Sequence, residues 1–232
     1  MPTETGCRGA TVCGYLHVCS SSDTLLLFFH GNGEVAADYD PLASLYTGNG
    51  VSLWVVDYRG YGRSTGTPSF SHMLADAEAL LDDVPRLERN LGRAFKRIMV
   101  KGRSLGSAPA IHLASQHSNA LAGLILDSAY ADGWALVQRL GGPKIAREEM
   151  PAFQDNIDKI RHCRLPTLLI HGTADRIIPL ADAQALLRAS GSERKRLAAI
   201  EGAGHNNLLW VGFEAYDEAL RQFLTGRMKN EE

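Results

Sequence analysis

Seven short stretches of β-forming residues punctuate the chain, and most carry apolar side chains at successive positions, not at alternate ones. A strand with one face in water alternates apolar and polar residues, so an unbroken apolar run predicts a strand covered on both sides. The stretches are 11–19, 25–30, 51–58, 97–101, 121–127, 167–171 and 196–200, of which the first is polar enough to be partly exposed. Between them the spacing turns helical. Leu74, Ala77, Leu81 and Val84 step by three and four along one face, and Pro85 is expected to kink or restart that helix. Ala108 to Ser115 is small and apolar, suited to close packing on a sheet, and Leu180, Ala183 and Leu187 mark a further helix. Leu209, Phe213, Tyr216, Leu220 and Phe223 give the last helix an apolar stripe along its length. Strand and helix in alternation predict an α/β fold with a doubly wound, mostly parallel sheet. In such a sheet chemistry belongs at the carboxyl ends of the strands, where the next loop begins.

No internal repeat, low-complexity stretch or Pro/Ser-rich linker interrupts this pattern, so residues 1–232 read as a single domain. Lys and Arg number 24 against 26 Asp and Glu, a formal charge of −2 that steers a chain onto neither nucleic acid nor anionic lipid. The apolar run Leu25–Phe29 is far short of a membrane span, and Met1 to Thr5 holds neither the basic nor the apolar part of a signal peptide. These features predict a cytoplasmic protein without stable membrane insertion; the oligomeric state is left open. Cys7, Cys13, Cys19 and Cys163 contain no Cys-x-x-Cys pair, so reduced thiols are expected, with a redox or lipid-attachment role as the alternative. Cys13 and Cys19, six apart, share a face if the chain between them is a strand.

The filter of strand ends picks out Gly102-Arg103-Ser104-Leu105-Gly106, which follows the stretch 97–101 and precedes a helix. Gly-x-Ser-x-Gly is weak as a bare pattern but not in that position. Ser104 would occupy a sharp strand-to-helix turn whose flanking glycines allow backbones to approach, with the hydroxyl beside a helix N-terminus. A serine hydroxyl needs a base held in place by an acid. Of the eight histidines, His205 sits in the loop 202–207 between the last strand and the last helix and is the candidate base. His30 and His171 end strands and read as structural, and His72, His112 and His117 fall in helical contexts facing solvent. His17 and His162 have no motif around them. Asp175, four residues past a strand end, is the candidate acid, and Asp127, the last residue of the stretch 121–127, is the alternative. Asp57 also ends a strand, where backbone hydrogen bonding is the expected work. The chain order Ser104, Asp175, His205 is that of α/β-hydrolases. The backbone N–H of Leu105 and one from the turn 30–34, assigned to Asn32, would complete an oxyanion hole.

Together these motifs resemble the α/β-hydrolase superfamily and, within it, the Bem46-like serine hydrolases and their protein-depalmitoylase relatives. The matching stretches are HGNGE at 30–34, DYRGYGRS at 57–64, GRSLGSAPA at 102–110, NIDKI at 156–160, HGTADRIIP at 171–179 and GAGHNN at 202–207. The resemblance spans residues 24 to 224. It implies an α/β-hydrolase sheet and the roles of nucleophile, acid, base and oxyanion amides for Ser104, Asp175, His205, Leu105 and Asn32. Membrane-bound depalmitoylating relatives carry a cluster of acylated cysteines near the N-terminus, whereas the cysteines here are spaced.

A Ser nucleophile disfavours chemistry through an Asp ester and leaves acyl transfer to water. The expected enzyme is a carboxylesterase or acyl-thioesterase that acts on a small-molecule or acylated substrate through an acyl-enzyme, with no metal or organic cofactor. A serine peptidase or amidase is the alternative, and a non-catalytic binding protein is a third reading, against which all three candidate residues are present. The segment of about residues 128–160 leaves room for a minimal cap or lid. Trp134, Val137 and Leu140 fall on one helical face within it, with Met150 and Phe153 beyond, and would either pack on the core or edge an acyl pocket.

Overall fold

The computed structural model describes residues 1–142, 144, 146–147 and 155–228. Eight strands form one sheet in the order β1-β2-β4-β3-β5-β6-β7-β8. They are β1 (Pro2–Cys7), β2 (Ala10–His17), β3 (Thr24–Phe29), β4 (Ser52–Val56), β5 (Arg97–Arg103), β6 (Gly123–Asp127), β7 (Thr167–Gly172) and β8 (Lys195–Ile200). From β4 to β8 all pairings are parallel, and β1 and β2 add an antiparallel edge.

Alternate residues of the central strands feed two separate cores. Leu25, Leu27 and Phe29 of β3 join Val100, Leu124, Leu126 and Leu169 on one face, whereas Leu26 and Phe28 join Met99, Ile125 and Ile170 on the other. Both faces are therefore sealed from water, as the unalternated runs require. The first face is covered by α2 (Phe70–Asp82), α3 (Val84–Leu91), α4 (Ser107–Gln116) and α7 (Leu180–Ala189). The second is covered by the 3₁₀ segment Ala36–Leu42, α1 (Ala43–Gly48) and α8 (Leu208–Leu224). Two further short helices, α5 (Gly133–Arg139) and α6 (Asn156–Ile160), lie in the segment between β6 and β7.

Pro85 acts as expected. Helix α2 ends at Asp82, and α3 starts afresh with the proline in its first turn, where the missing N–H has no bond to lose. Three other expectations need correction. First, β1 is absent from the sequence reading because Pro2–Cys7 has no apolar run; its side chains find polar partners instead, with Trp54 Nε1 donating to Thr3 Oγ1 and Thr5 Oγ1 donating to Asp83. Second, β2 stops at His17, so Cys13 and Cys19 do not share a strand; all four cysteines are free and buried. Third, the apolar stripe of α8 does not stay on the core. Gly212 leaves helical geometry (φ −138°, ψ 49°), and a Cβ there would lie 2.3 Å from Ile200 Cγ2. Trp210 before that kink is 90% exposed and Phe213 directly after it 54% exposed, and only further on are Tyr216, Leu220 and Phe223 buried. Among the described residues no helix is long and apolar enough to cross a membrane.

Candidate active site

The carboxyl ends of β3, β5, β7 and β8 lie close together at one edge of the sheet, and the loops that leave them carry the candidate residues. Ser104 follows β5 directly and is held at φ 51°. Left-handed backbone in a residue with a Cβ costs on the order of 1–3 kcal/mol and persists only where the surroundings fix it. Here the turn is fixed by close backbone contact. A Cβ on Gly102 would lie 2.2 Å from the Gly106 carbonyl oxygen, and one on Gly106 would lie 2.0 Å from that of Phe29. Both flanking positions must therefore be glycine. The turn leaves the half-buried Ser104 beside the start of α4, while Ser107 Oγ donates to the Ser104 carbonyl at 2.7 Å.

Ser104 Oγ lies 3.0 Å from His205 Nε2, and His205 Nδ1 lies 2.7 Å from Asp175 Oδ2. A carboxylate only accepts, so Nδ1 carries the proton given to Asp175, and Nε2 is left to accept from the serine hydroxyl. Asp175 Oδ1 in turn accepts from the backbone N–H groups of Ile177 and Ile178 at 2.9 and 2.8 Å. Burial alone would raise this carboxyl; the bonds from His205 and the two amides outweigh it and hold Asp175 below the ordinary carboxylate value. The alternative acid goes elsewhere. Asp127 pairs with Lys101 and accepts from Tyr216 Oη at 2.6 Å, whereas the carboxylate bonded to His205 is that of Asp175. Burial pushes Lys101 below the ordinary lysine value against the pull of that carboxylate.

Asn32 and Leu105 follow β3 and Ser104 respectively, and Asn32 Oδ1 accepts from Tyr61 Oη at 2.7 Å. The turn that holds Asn32 is tied down by two residues the sequence reading did not single out. Glu34 accepts from the Gly31 N–H at 2.7 Å and from Tyr39 Oη at 2.6 Å, and it pairs with Arg103. Arg103 also donates to the His205 carbonyl at 3.0 Å and to Asn206 Oδ1 at 2.9 Å. One guanidinium thus joins the oxyanion turn, the nucleophile turn and the base loop. Both residues were visible as lone charges inside otherwise small, uncharged motifs. Asn156 was also missed; its side-chain amide reaches the Tyr130 carbonyl at 2.9 Å and Ser107 Oγ at 3.2 Å, fastening the loop after β6 to α4.

The remaining histidines are mostly accounted for. His30 and His171 are fully buried, and His30 Nε2 faces Asp57 Oδ1 at 3.3 Å. Asp57 Oδ1 accepts from the Ala36 N–H at 2.8 Å, the backbone role expected of it. His112 and His117 do not simply face solvent: each contacts one oxygen of Glu78, at 2.7 and 2.5 Å, joining α2 to α4 and its C-terminal cap. Helix α5 sits at the surface with Trp134 and Val137 half-buried and Leu140 62% exposed. Met150 and Phe153 lie outside the described residues. No group of three metal-ligating side chains occurs among the described residues.

Two clefts reach the candidate residues. A small one of about 160 Å³ is bounded by Leu105, Tyr58, Tyr61 and the start of α2. A larger one of about 910 Å³ runs between α1 and α8 and meets Arg103 and His205 at one end. Neither is lined by α5.

The chain matches the Hydrolase_4 family model, described as serine aminopeptidase, S33, over residues 20–142 and 135–209. It is 32% identical to alpha/beta hydrolase domain-containing protein 17B of Xenopus laevis, an alignment that covers 98% of this chain and 75% of the relative. The human protein of the same name is 31% identical over the same shares. Among solved structures, an esterase of Pyrococcus furiosus superposes with a TM-score of 0.80 at 19% identity, covering 99% of this chain and 93% of that one. Est1E of Butyrivibrio proteoclasticus, solved with ferulic acid bound, gives 0.79 at 19% identity over 97% and 98%. At such identity these two likenesses speak for the fold.

Proposed function

The chain belongs to the Hydrolase_4 family of α/β-hydrolases, and from that premise we propose that it is a serine hydrolase of the esterase or thioesterase type, which cleaves carboxylic esters or thioesters through an acyl-enzyme on Ser104. The observation that supports this reading most is the unbroken relay from Ser104 through His205 to Asp175 at a strained strand-to-helix turn. Ser104 Oγ attacks the carbonyl carbon while His205 Nε2 takes its proton. Asp175 holds the imidazole in the tautomer that leaves Nε2 free and stabilises the imidazolium that forms. The N–H groups of Leu105 and Asn32 receive the oxyanion. His205 then protonates the leaving oxygen or sulfur, and water, activated by the same imidazole, releases the acid. The catalytic residues belong to a single domain, in which the segment of about residues 128–160 is too short for a large cap.

The description of the matching family model favours a second reading, a serine peptidase. Amide cleavage asks more of the same parts, because His205 must protonate a poor leaving amine in a well-positioned complex. The carboxylates that touch the catalytic loops are engaged, Glu34 with Arg103 and Asp175 with His205, which leaves neither free to hold a substrate amine. A fluorophosphonate probe should label Ser104, and Ser104→Ala should abolish both labelling and ester hydrolysis while the thermal melt is unchanged. Mass spectrometry that places the adduct on another residue would remove the proposal. A kcat/KM for any aminoacyl amide above that for the best ester or thioester would make the enzyme a peptidase.

A further inference from the structure

We propose that the small cleft beside Leu105 is the acyl pocket of this enzyme and that it selects short acyl groups, no longer than about hexanoyl. The proposal rests on the catalytic roles given above to Ser104, His205 and the oxyanion amides.

The argument starts from the four substituents of the tetrahedral carbon. One is Ser104 Oγ, and a second is the oxyanion, which faces the Leu105 and Asn32 amides. The leaving atom must face His205 Nε2, since that nitrogen hands it a proton. The acyl chain is left to the side away from the imidazole. The small cleft meets that condition: Leu105 lines it, His205 does not, and its wall residue Tyr61 is bonded to Asn32. The groove between α1 and α8 is the reverse, lined by His205 and Arg103 and not by Leu105. It therefore lies on the leaving-group side, where it can take a bulky alcohol or thiol.

Size and lining then set the chain length. The walls are Tyr58, Tyr61, Pro68, Phe70 and Met73, so an acyl tail meets apolar and aromatic surface. An apolar cavity of roughly 150 Å³ holds one benzene, or about six carbons, and this cleft measures about 160 Å³. Its floor includes Arg59 and Asp76, each 7% exposed and joined by two hydrogen bonds of 2.7 and 2.8 Å. A longer tail directed at that side would have to break the buried pair, which opposes chain extension there.

The test is a series of p-nitrophenyl esters from acetate through hexanoate to palmitate, run on the wild type and on four variants. In the wild type kcat/KM should rise by up to roughly fourfold per methylene, the factor set by hydrocarbon transfer, and fall beyond hexanoate. Met73→Ala and Phe70→Ala should move the optimum to longer chains. Phe70 is half-buried at the first residue of α2, so its variant keeps the question open should Met73→Ala fail to fold. Leu45→Ala and Leu209→Ala, in the larger groove, should leave the acyl optimum in place and change the response to the leaving group. A wild-type optimum at dodecanoate or beyond overturns the proposal. So does an optimum that moves with Leu45 or Leu209 and not with Met73 or Phe70. Ester hydrolysis that is absent from the wild type or persists in Ser104→Ala would mark a failure of the catalytic reading itself, whereas Ser104-dependent hydrolysis with the wrong optimum overturns only the pocket.

Discussion

Asp127 and Asp175 make a natural comparison. They are the same residue type, at the carboxyl ends of the adjacent strands β6 and β7, and are 4% and 7% exposed. One ends in the candidate relay and the other in a buried charge cluster at the base of the larger groove. The difference lies in the pleat. Asp127 is still part of its strand, and residues two apart share a face, so it points with Ile125 into the core under α1 and α8. There it meets Lys101, which shares a face with Met99 for the same reason. Asp175 is three residues beyond β7, free of the pleat, in a turn whose Ile177 and Ile178 amides aim its carboxylate toward the loop after β8. Position at the correct edge is therefore not enough to make an acid; the side chain must also have left the strand.

The largest test of this contrast exchanges charge for amide at each site. Asp175→Asn should lower kcat by about 10⁴, because the amide favours the wrong imidazole tautomer. Asp127→Asn should leave turnover of the folded fraction within an order of magnitude and instead lower stability. Removing the partner of a fully buried ammonium costs about 3–5 kcal/mol. Urea unfolding and kcat normalised to folded protein read the two effects separately. The opposite ranking would move the acid to Asp127. The cluster itself offers a second, smaller test. Replacing both members, Lys101→Met with Asp127→Leu, should recover most of the stability lost by Asp127→Asn, since an apolar pair of similar volume leaves no charge uncompensated.

Arg103 stands between these two regions in effect as well. It holds three catalytic loops through Glu34, the His205 carbonyl and Asn206, yet touches none of the reacting atoms. Arg103→Met should lower kcat by up to about 10²-fold, the scale that a displacement near 1 Å costs, with little change in KM. Arg103→Lys should restore only part, since an ammonium lacks the fork that reaches several acceptors at once. An unchanged kcat in both variants would make the guanidinium a surface feature.

How far the sequence was readable follows the same logic of local against distant causes. The central strands were legible because both-face burial writes itself into consecutive residues, and the nucleophile turn because its Gly-x-Ser-x-Gly pattern is local, although Gly102 answers to the nearby Gly106 carbonyl and Gly106 to the distant Phe29 carbonyl. The gathering of Ser104, Asp175 and His205 was legible through chain order and strand ends. What escaped depends on partners far along the chain. Strand β1 exists through polar bonds to Trp54 and Asp83. The Lys101–Asp127–Tyr216 cluster joins three elements, and the Gly212 kink answers to Ile200 across the sheet edge. Periodicity carries no trace of these. Asp127 was ambiguous for that reason: without the register that sets Lys101 beside it, a strand-end aspartate looks as available as any other.

The smallest effect concerns how Asp175 responds to acid. Its native carboxyl lies below the ordinary value because the bonds from His205 and the two amides outweigh burial. The unfolded chain, with a carboxyl near pKa 3.9, therefore takes up the proton more readily than the native state, and stability rises with pH through that window. The contribution is fully present above about pH 4 and is lost as pH falls through the lower native value. Asp175→Asn has no such proton to bind. The stability advantage of the wild type over that variant should then be constant near neutrality and close progressively below about pH 4, as measured by urea midpoints at a series of pH values. If the gap instead widens in acid, the Asp175 carboxylate is not held by the bonds that aim it at His205, and the contrast with Asp127 loses its physical basis.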